Sequence, residues 1–182
     1  MPYLIDGYNL LHALGILGKR MGPTGLEKAR FRLLGLLRGS LGEQATEVTV
    51  VFDAAHAPAG AEAETFFHGI RIRFANRHPQ ADDLIEELIH THSAPKNLVV
   101  VSDDNRLARA ARRRGCRTSS CQDFLAHLDQ QRRLQLEKTP AVKEKQDSLT
   151  PEETERWLAE FADLEKDPNW KKLFRVYNFE DS

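Results

Sequence analysis

The chain has 182 residues, of which 41% are hydrophobic and 29% charged, with two cysteines and a formal net charge of −1. That length suits one compact domain with an appendage, and the composition argues against a disordered or fibrous chain. No apolar run approaches the roughly 20 residues that cross a bilayer, and the acid at position 6 of MPYLIDGYN argues against a secretory signal peptide there.

In chain order, Pro2–Ile5 reads as a short buried strand that ends at Asp6. Thr24-Gly-Leu-Glu27 has the form of a capping box, opening a helix with Leu26, Ala29, Leu33, Leu36 and Leu37 on its apolar side. Glu47–Phe52 reads as a second strand, ending at Asp53. Thr65–Phe74 alternates around Ile70, Ile72 and Phe74, with Arg71 and Arg73 between, and predicts a third strand with one face in solvent. Gln80–His90 predicts a helix with Leu84, Ile85, Leu88 and Ile89 inward.

Asn97–Ser102 is a fully apolar strand candidate that ends at Asp103. Asn105–Arg114 follows as a helix, and Gly115 stands where a helix C-cap favours glycine. Cys116–Ser119 is a last short strand, and Ser120 with Asp123 caps a helix toward Leu136. Strands alternating with helices predict an α/β fold, a mostly parallel sheet with helices on both faces.

Glu137–Leu149 is charged and aperiodic and reads as a linker; Thr150-Pro-Glu-Glu153 starts a helix toward Leu164. The expected organisation is therefore a domain over 1–136, a linker over 137–149 and a helical, aromatic-rich extension over 150–182. The charge divides the same way. Met1–Leu136 carries 18 basic and 15 acidic residues, whereas Glu137–Ser182 carries 8 and 12. A basic first part suits a polyanionic partner. The extension holds six of the fourteen aromatics, Trp157, Phe161, Trp170, Phe174, Tyr177 and Phe179, for which docking back on the domain is the plainer reading; with the basic cluster Lys171, Lys172 and Arg175 they also suit a protein surface or a ribosomal groove.

Three strand candidates end alike, in Asp6, Asp53 and Asp103, the last followed by Asp104. Ligands of open parallel sheets bind outside the carboxyl ends of the strands, so these side chains converge there. Asp82 and Asp83 open a helix that can join the same rim. Two carboxylates about 4 Å apart repel by roughly 4 kcal/mol at an effective dielectric of about 20. A hard divalent cation with oxygen ligands relieves that repulsion and suits phosphodiester hydrolysis. A single aspartate after a strand is more often a helix cap or turn residue; three such strand ends and an Asp pair make a shared site the better reading.

Four motifs, DGYN at Asp6–Asn9, FD at Phe52–Asp53, ADDLIE at Ala81–Glu86 and SD at Ser102–Asp103, resemble in order and spacing those of the NYN nucleases, closest to the YacP-like branch of bacterial ribosome-associated endoribonucleases. The resemblance covers roughly residues 2–128. It implies a PIN-like three-layer α/β/α fold and one or two Mg²⁺ or Mn²⁺ ions. It also implies catalytic roles for Asp6, Asn9, Asp82 and Asp103, with Asp6, Asp82 and Asp103 as metal ligands and Asn9 as the amide that positions the site. Asp53 resembles a supporting acid of the second strand, and Asp83, Glu86 and Asp104 are supporting or solvent-facing. Where this branch often has a small hydroxyl residue before the ADD motif, this chain has Gln80. The implied substrate is RNA, including mRNA on the ribosome, and the implied compartment is the cytoplasm.

Arg106, Arg109 and Arg113 fall at helical spacing and form a candidate RNA track, and Arg71, Arg73 and Arg77, leading into the ADD helix, are candidates to flank the substrate. A solvated basic face is the plainer reading of such a stripe. Cys116 and Cys121 have neither a CxxC nor a zinc spacing and are expected to be buried thiols of a reducing compartment. His90 and His92 would not share a helix face, and no Ser-His-Asp order, P-loop or dinucleotide fingerprint is present. A dehalogenase-type phosphohydrolase wants a DxD pattern, and the partner position after Asp6 is Tyr8. A chain that binds RNA or ribosomes without cutting is the other alternative, and the filled acidic positions argue against it.

Overall fold

The apolar, β-branched segments form strands as their composition predicts. The computed structural model describes residues 1–17, 22–53, 63–76, 78 and 80–138. Its strands are β1 (Tyr3–Asp6), β2 (Val48–Phe52), β3 (Glu64–Phe67), β4 (Ile70–Phe74), β5 (Val99–Val101) and β6 (Arg117–Ser119). Its helices are α1 (Gly7–Ala13), α2 (Pro23–Leu41), α3 (Ala81–Thr91), α4 (Asn105–Arg114) and α5 (Cys121–Lys138). Arg77, the linker beyond Lys138, the helix from Thr150 and the aromatic tail lie outside the described residues.

The strands form one sheet in the order β3-β4-β2-β1-β5-β6. All neighbours are parallel except the β3–β4 pair. The chain leaves β1 toward β2 and later returns to its other side as β5, so β1 is where the winding reverses. In such a sheet the crevice for a ligand opens at the carboxyl end of that point. Side chains alternate across the sheet. Ile5, Val50 and Phe52 join a core with Leu33 and Leu37 of α2 and with Phe124 and Leu128 of α5. Leu4, Val51 and Val100 join a second core with Leu84, Ile85 and Ile89 of α3 and Leu107 and Ala111 of α4. The result is the three-layer α/β/α arrangement. Among the described residues no helix is long and apolar enough to cross a membrane.

Three local expectations are corrected. The single strand over Thr65–Phe74 is a hairpin, β3 and β4, turned at His68 and Gly69 with φ of 45° and 89°. Positive φ at both central residues is what a two-residue hairpin turn needs, and a Cβ at Gly69 would meet Thr46 Cγ2 at 2.7 Å. The capping box at Thr24 is not the start of α2, which begins at Pro23 with Gly22 as its N-cap. The residues after Asp6, read as no element, form α1. Burial of Leu10 and Leu11 holds this short helix where propensity alone would not. Elsewhere α4 ends at Gly115 in the left-handed region (φ 84°), and Ser120 Oγ accepts the Asp123 amide at 3.0 Å to start α5. Cys116 and Cys121 are free and buried. Burial, then the nearby Asp103, pushes the Cys121 thiol up to about 12.

α1 lies so close to β2 that a Cβ on Gly7 would run into the Phe52 ring. Gly7→Ala is therefore expected to destabilise the fold by about 1–3 kcal/mol, the usual cost of overpacking a filled core. Urea denaturation followed by circular dichroism measures it, and an unchanged midpoint would refute the close approach.

Candidate functional site

Asp6 closes β1 and is only 4% exposed. Placed at a strand end before a helix, it is the N-cap of α1, and its carboxylate accepts the Asn9 amide at 3.1 Å and the Asn9 side-chain Nδ2. Ser102, one residue past β5, donates from Oγ to Asp6 Oδ2 at 3.3 Å. The same Oγ accepts Asn9 Nδ2 at 3.3 Å and the Asp104 amide at 3.1 Å. Asp104 in turn caps α4 by accepting the Arg106 amide. One network thus joins the end of β1, the start of α1 and the start of α4.

Across the crevice stands the first turn of α3. Its N-cap, Gln80, makes no side-chain cap hydrogen bond, and Asp82 and Asp83 supply the first turn's negative charge. Burial raises the Asp82 carboxyl above the usual carboxylate range; Asp6 and Asp104 raise it further, Arg106 lowers it, and Asp83 adds a last increment. Asp6, Asp82 and Asp104 therefore share one field. Asp103 is exposed and turned toward α5, where its Oδ1 accepts the Cys121 amide at 2.9 Å. Cys121 also senses Asp6. Asp53 lies one residue past β2, within electrostatic reach of Tyr8. The Tyr8 hydroxyl is raised by burial, lowered by Arg30 and raised by Asp53.

Asp83 and Glu86 do not face the crevice as open acids; both bind Arg106. Glu86 takes the guanidinium in a fork at 2.9 Å from Nε and 2.9 Å from Nη2, and Asp83 takes Nη2 at 2.7 Å. This clamp fixes α3 against α4, and it engages the first member of the basic stripe. Arg109 is exposed, its Nε donating to the Asn105 carbonyl at 3.1 Å. Arg113 lines an open groove between α3 and α4 with Glu86, Glu87 and His90. Arg73 lies on β4, with Nη1 at 3.2 Å from Glu64. Ser102, which the strand pattern marked only as the residue before Asp103, is the hub of the network. A small hydroxyl residue between a strand end and an Asp pair is its sequence signal. Arg30 was also unexpected: it is buried, with its guanidinium 5.7 Å from the Phe52 ring centre and 5.8 Å from that of Phe74.

The donors fit a hard divalent cation by chemistry, since all are carboxylate, amide or hydroxyl oxygens and the half-buried Asp82 lies in the field of three like charges. Among the described residues, however, no three His, Cys, Asp or Glu side chains stand in metal-holding geometry.

The YacP-like NYN domain family matches residues 3–166. The crystal structure of Rae1 (YacP) from Bacillus subtilis matches 94% of this chain and 95% of its own, with a TM-score of 0.62 at 19% identity. A point mutant of the same Bacillus subtilis protein matches 78% of this chain and 87% of its own, with a TM-score of 0.59 at 23% identity. No curated protein matches the sequence. The mostly parallel sheet and its order have the PIN-like form. With a family match spanning most of its length, the chain belongs to the YacP-like NYN domain family and has that family's nuclease-type fold.

Proposed function

We propose that the chain is a metal-dependent endoribonuclease that hydrolyses RNA phosphodiester bonds, with ribosome-associated mRNA in the cytoplasm as its substrate. The observation that carries this reading is Asp82, whose carboxyl is raised by burial and by Asp6 and Asp104 at the point where the sheet reverses its winding. Family membership supports the nuclease class; the ribosomal and cytoplasmic parts follow the family resemblance.

In this reading Asp6, Asp82 and Asp103 hold one or two Mg²⁺ or Mn²⁺ ions, and Asp104 supports them through its charge. When bound, the ion supplies a polarised water and positive charge for the departing oxygen. Asn9 and Ser102 fix the Asp6 carboxylate through the hydrogen bonds described above. Arg106, forked between Asp83 and Glu86, sets the distance between the starts of α3 and α4 and so between Asp82 and Asp104. Arg109, Arg113 and Arg73 contact RNA phosphates, and Arg77, just before the ADD motif in sequence, is assigned the same role. Asp53 supports the site from β2. Positions 137–149 and 150–182 serve as the linker and the extension that docks on the ribosome.

A second reading, an RNA-binding module that does not cut, is favoured by the absence of a preformed three-ligand cluster among the described residues. RNA incubated with the purified chain decides between them. Cleavage that appears with Mg²⁺ or Mn²⁺ and vanishes with EDTA supports the nuclease; binding without cleavage under every metal condition supports the module.

Asp82→Asn is expected to lower cleavage at least about 100-fold, the upper end of losses at perturbed metal sites, without harming the metal-free fold. The sign follows from the raised Asp82 carboxyl. Its stabilising contribution is present below its unfolded value and is lost as pH rises through its folded one. At neutral pH the uncharged amide removes that penalty, so the melting temperature stays the same or rises. A mutant that cuts at the wild-type rate would remove Asp82 from the site.

The neighbouring pair separates the third ligand from its support. Asp103→Asn is expected to lose cleavage as Asp82→Asn does. Asp104→Asn keeps an N-cap residue for α4, so it should melt like the wild type and lose only about tenfold in rate. Single-turnover rates at saturating Mn²⁺ measure both, and the reverse ranking would assign the ligand role to Asp104.

A further inference from the structure

Beyond the helices, part of the α3 face of the sheet is left uncovered. The strand register gives two rows there. Asp6 stands beside Val51, Val51 beside Arg73, and Arg73 beside Glu64. Two residues back, Leu4 stands beside Thr49, Thr49 beside Arg71, and Arg71 beside Phe66. Leu4 and Val51 pack under α3 and α4, whereas the β4 and β3 ends of both rows pass out from under them. The acid site and the Arg73–Arg71–Phe66 patch are thus continuous on one face. At about 4.8 Å per strand, Arg73 is roughly 10 Å from Asp6 along its row.

The patch has the parts that a single nucleic-acid strand requires. Phe66 is 52% exposed, the most exposed large apolar side chain among the described residues. The Arg71 guanidinium lies 5.7 Å from its ring centre. Arg71 and Arg73 share one carboxylate, Glu64, at 4.0 and 3.2 Å, so the trio keeps net positive charge. Arg73 Nε is buried with no hydrogen-bond partner, an unsatisfied donor. Beside these residues is a cavity of about 310 Å³, also lined by Thr49, Thr91 and His92. It lies at the small end of ligand pockets, about 300–1,000 Å³. An exposed aromatic ring beside paired arginines offers a base a stacking surface and its phosphates a cationic rim, a combination that a duplex with stacked, paired bases cannot use.

We propose that this face is a subsite for single-stranded RNA: a base of the substrate stacks on Phe66, and the adjoining backbone runs along Arg71 and Arg73 toward Asp6. The proposal deepens the nuclease reading by making the substrate single-stranded next to the cut, and it rests on that reading for the strand's direction toward the acids.

Binding of a fluorescent single-stranded RNA oligonucleotide to the full chain in EDTA tests the subsite without cleavage. Phe66→Ala and Phe66→Leu are expected to weaken binding roughly 5- to 150-fold, the range of one lost base stack, and Phe66→Trp to restore it. Arg71→Ala is expected to lower the salt slope of log K by about 0.7, one single-strand phosphate contact. Duplex RNA of the same length should bind more weakly than the single strand and be indifferent to Phe66→Ala. Wild-type affinity in Phe66→Ala and Phe66→Leu, or equal loss in Phe66→Trp, would overturn the subsite, as would equal affinity for duplex and single strand. Cleavage by the same preparations with Mn²⁺ is read separately: intact RNA with the predicted binding pattern would defeat the nuclease reading and leave the subsite standing.

Discussion

A carboxylate removed from water at the end of a central strand is costly unless hydrogen bonds replace its hydration. Asp6 meets that condition with partners from two separate segments, Asn9 on α1 and Ser102 after β5. The requirement orders much else. It starts α1 directly after β1, with the Asp6 cap as its first stabilising contact, and it ties the end of β1 to the start of α4 through the Ser102 hydroxyl and the Asp104 amide. Across the crevice, burial raises the Asp82 carboxyl, and the same fixed negative charge of Asp6 raises it further. A satisfied acid thus stands beside a strained one, and that asymmetry is what a bound cation would resolve.

The two helices that carry Asp82 and Asp104 are held together at the surface. Arg106 reaches from the first turn of α4 to two acids of α3, one turn apart on the same face. Exposed ion pairs contribute little stability individually because water and salt screen them. A forked guanidinium does fix orientation, and here it does so beside the residues whose separation matters. The basic stripe on α4 therefore divides in function: its first member braces the site, and the exposed Arg109 remains available to a polyanion.

Much of this arrangement was legible in the sequence. Buried parallel strands are short continuous apolar runs, so YLID, VTVVF and NLVVVS announced both themselves and the aspartates at their ends. The periodic burial of Leu84, Ile85 and Ile89 placed Asp82 at a helix start facing the sheet. What failed to appear has physical causes. Asp103 and Asp104 are adjacent, and which of them looks toward Asp82 depends on the backbone turn at the α4 cap, to which strand periodicity is blind. The Thr65–Phe74 alternation runs unbroken through a hairpin because His68 and Gly69 each take one place in it, although the glycine is the turn signal. Charges at helical spacing placed Arg106 on a face but could not show that α3 presents two acids to it. Arg30 sits in an otherwise apolar helix face, and helix periodicity could not show the Phe52 and Phe74 rings beside it.

Under the proposed function the acids around Asp6 form a divalent-cation site. Calorimetric titration of the metal-free protein with Mn²⁺, paired with melting curves of the same samples, tests it most directly. Saturable binding of one or two ions is expected, with a rise in melting temperature worth roughly 2.7 kcal/mol at a hundredfold excess over Kd, and loss of both in Asp6→Asn. Absence of binding heat and of any thermal shift at millimolar Mn²⁺, or an identical response from Asp6→Asn, would contradict it.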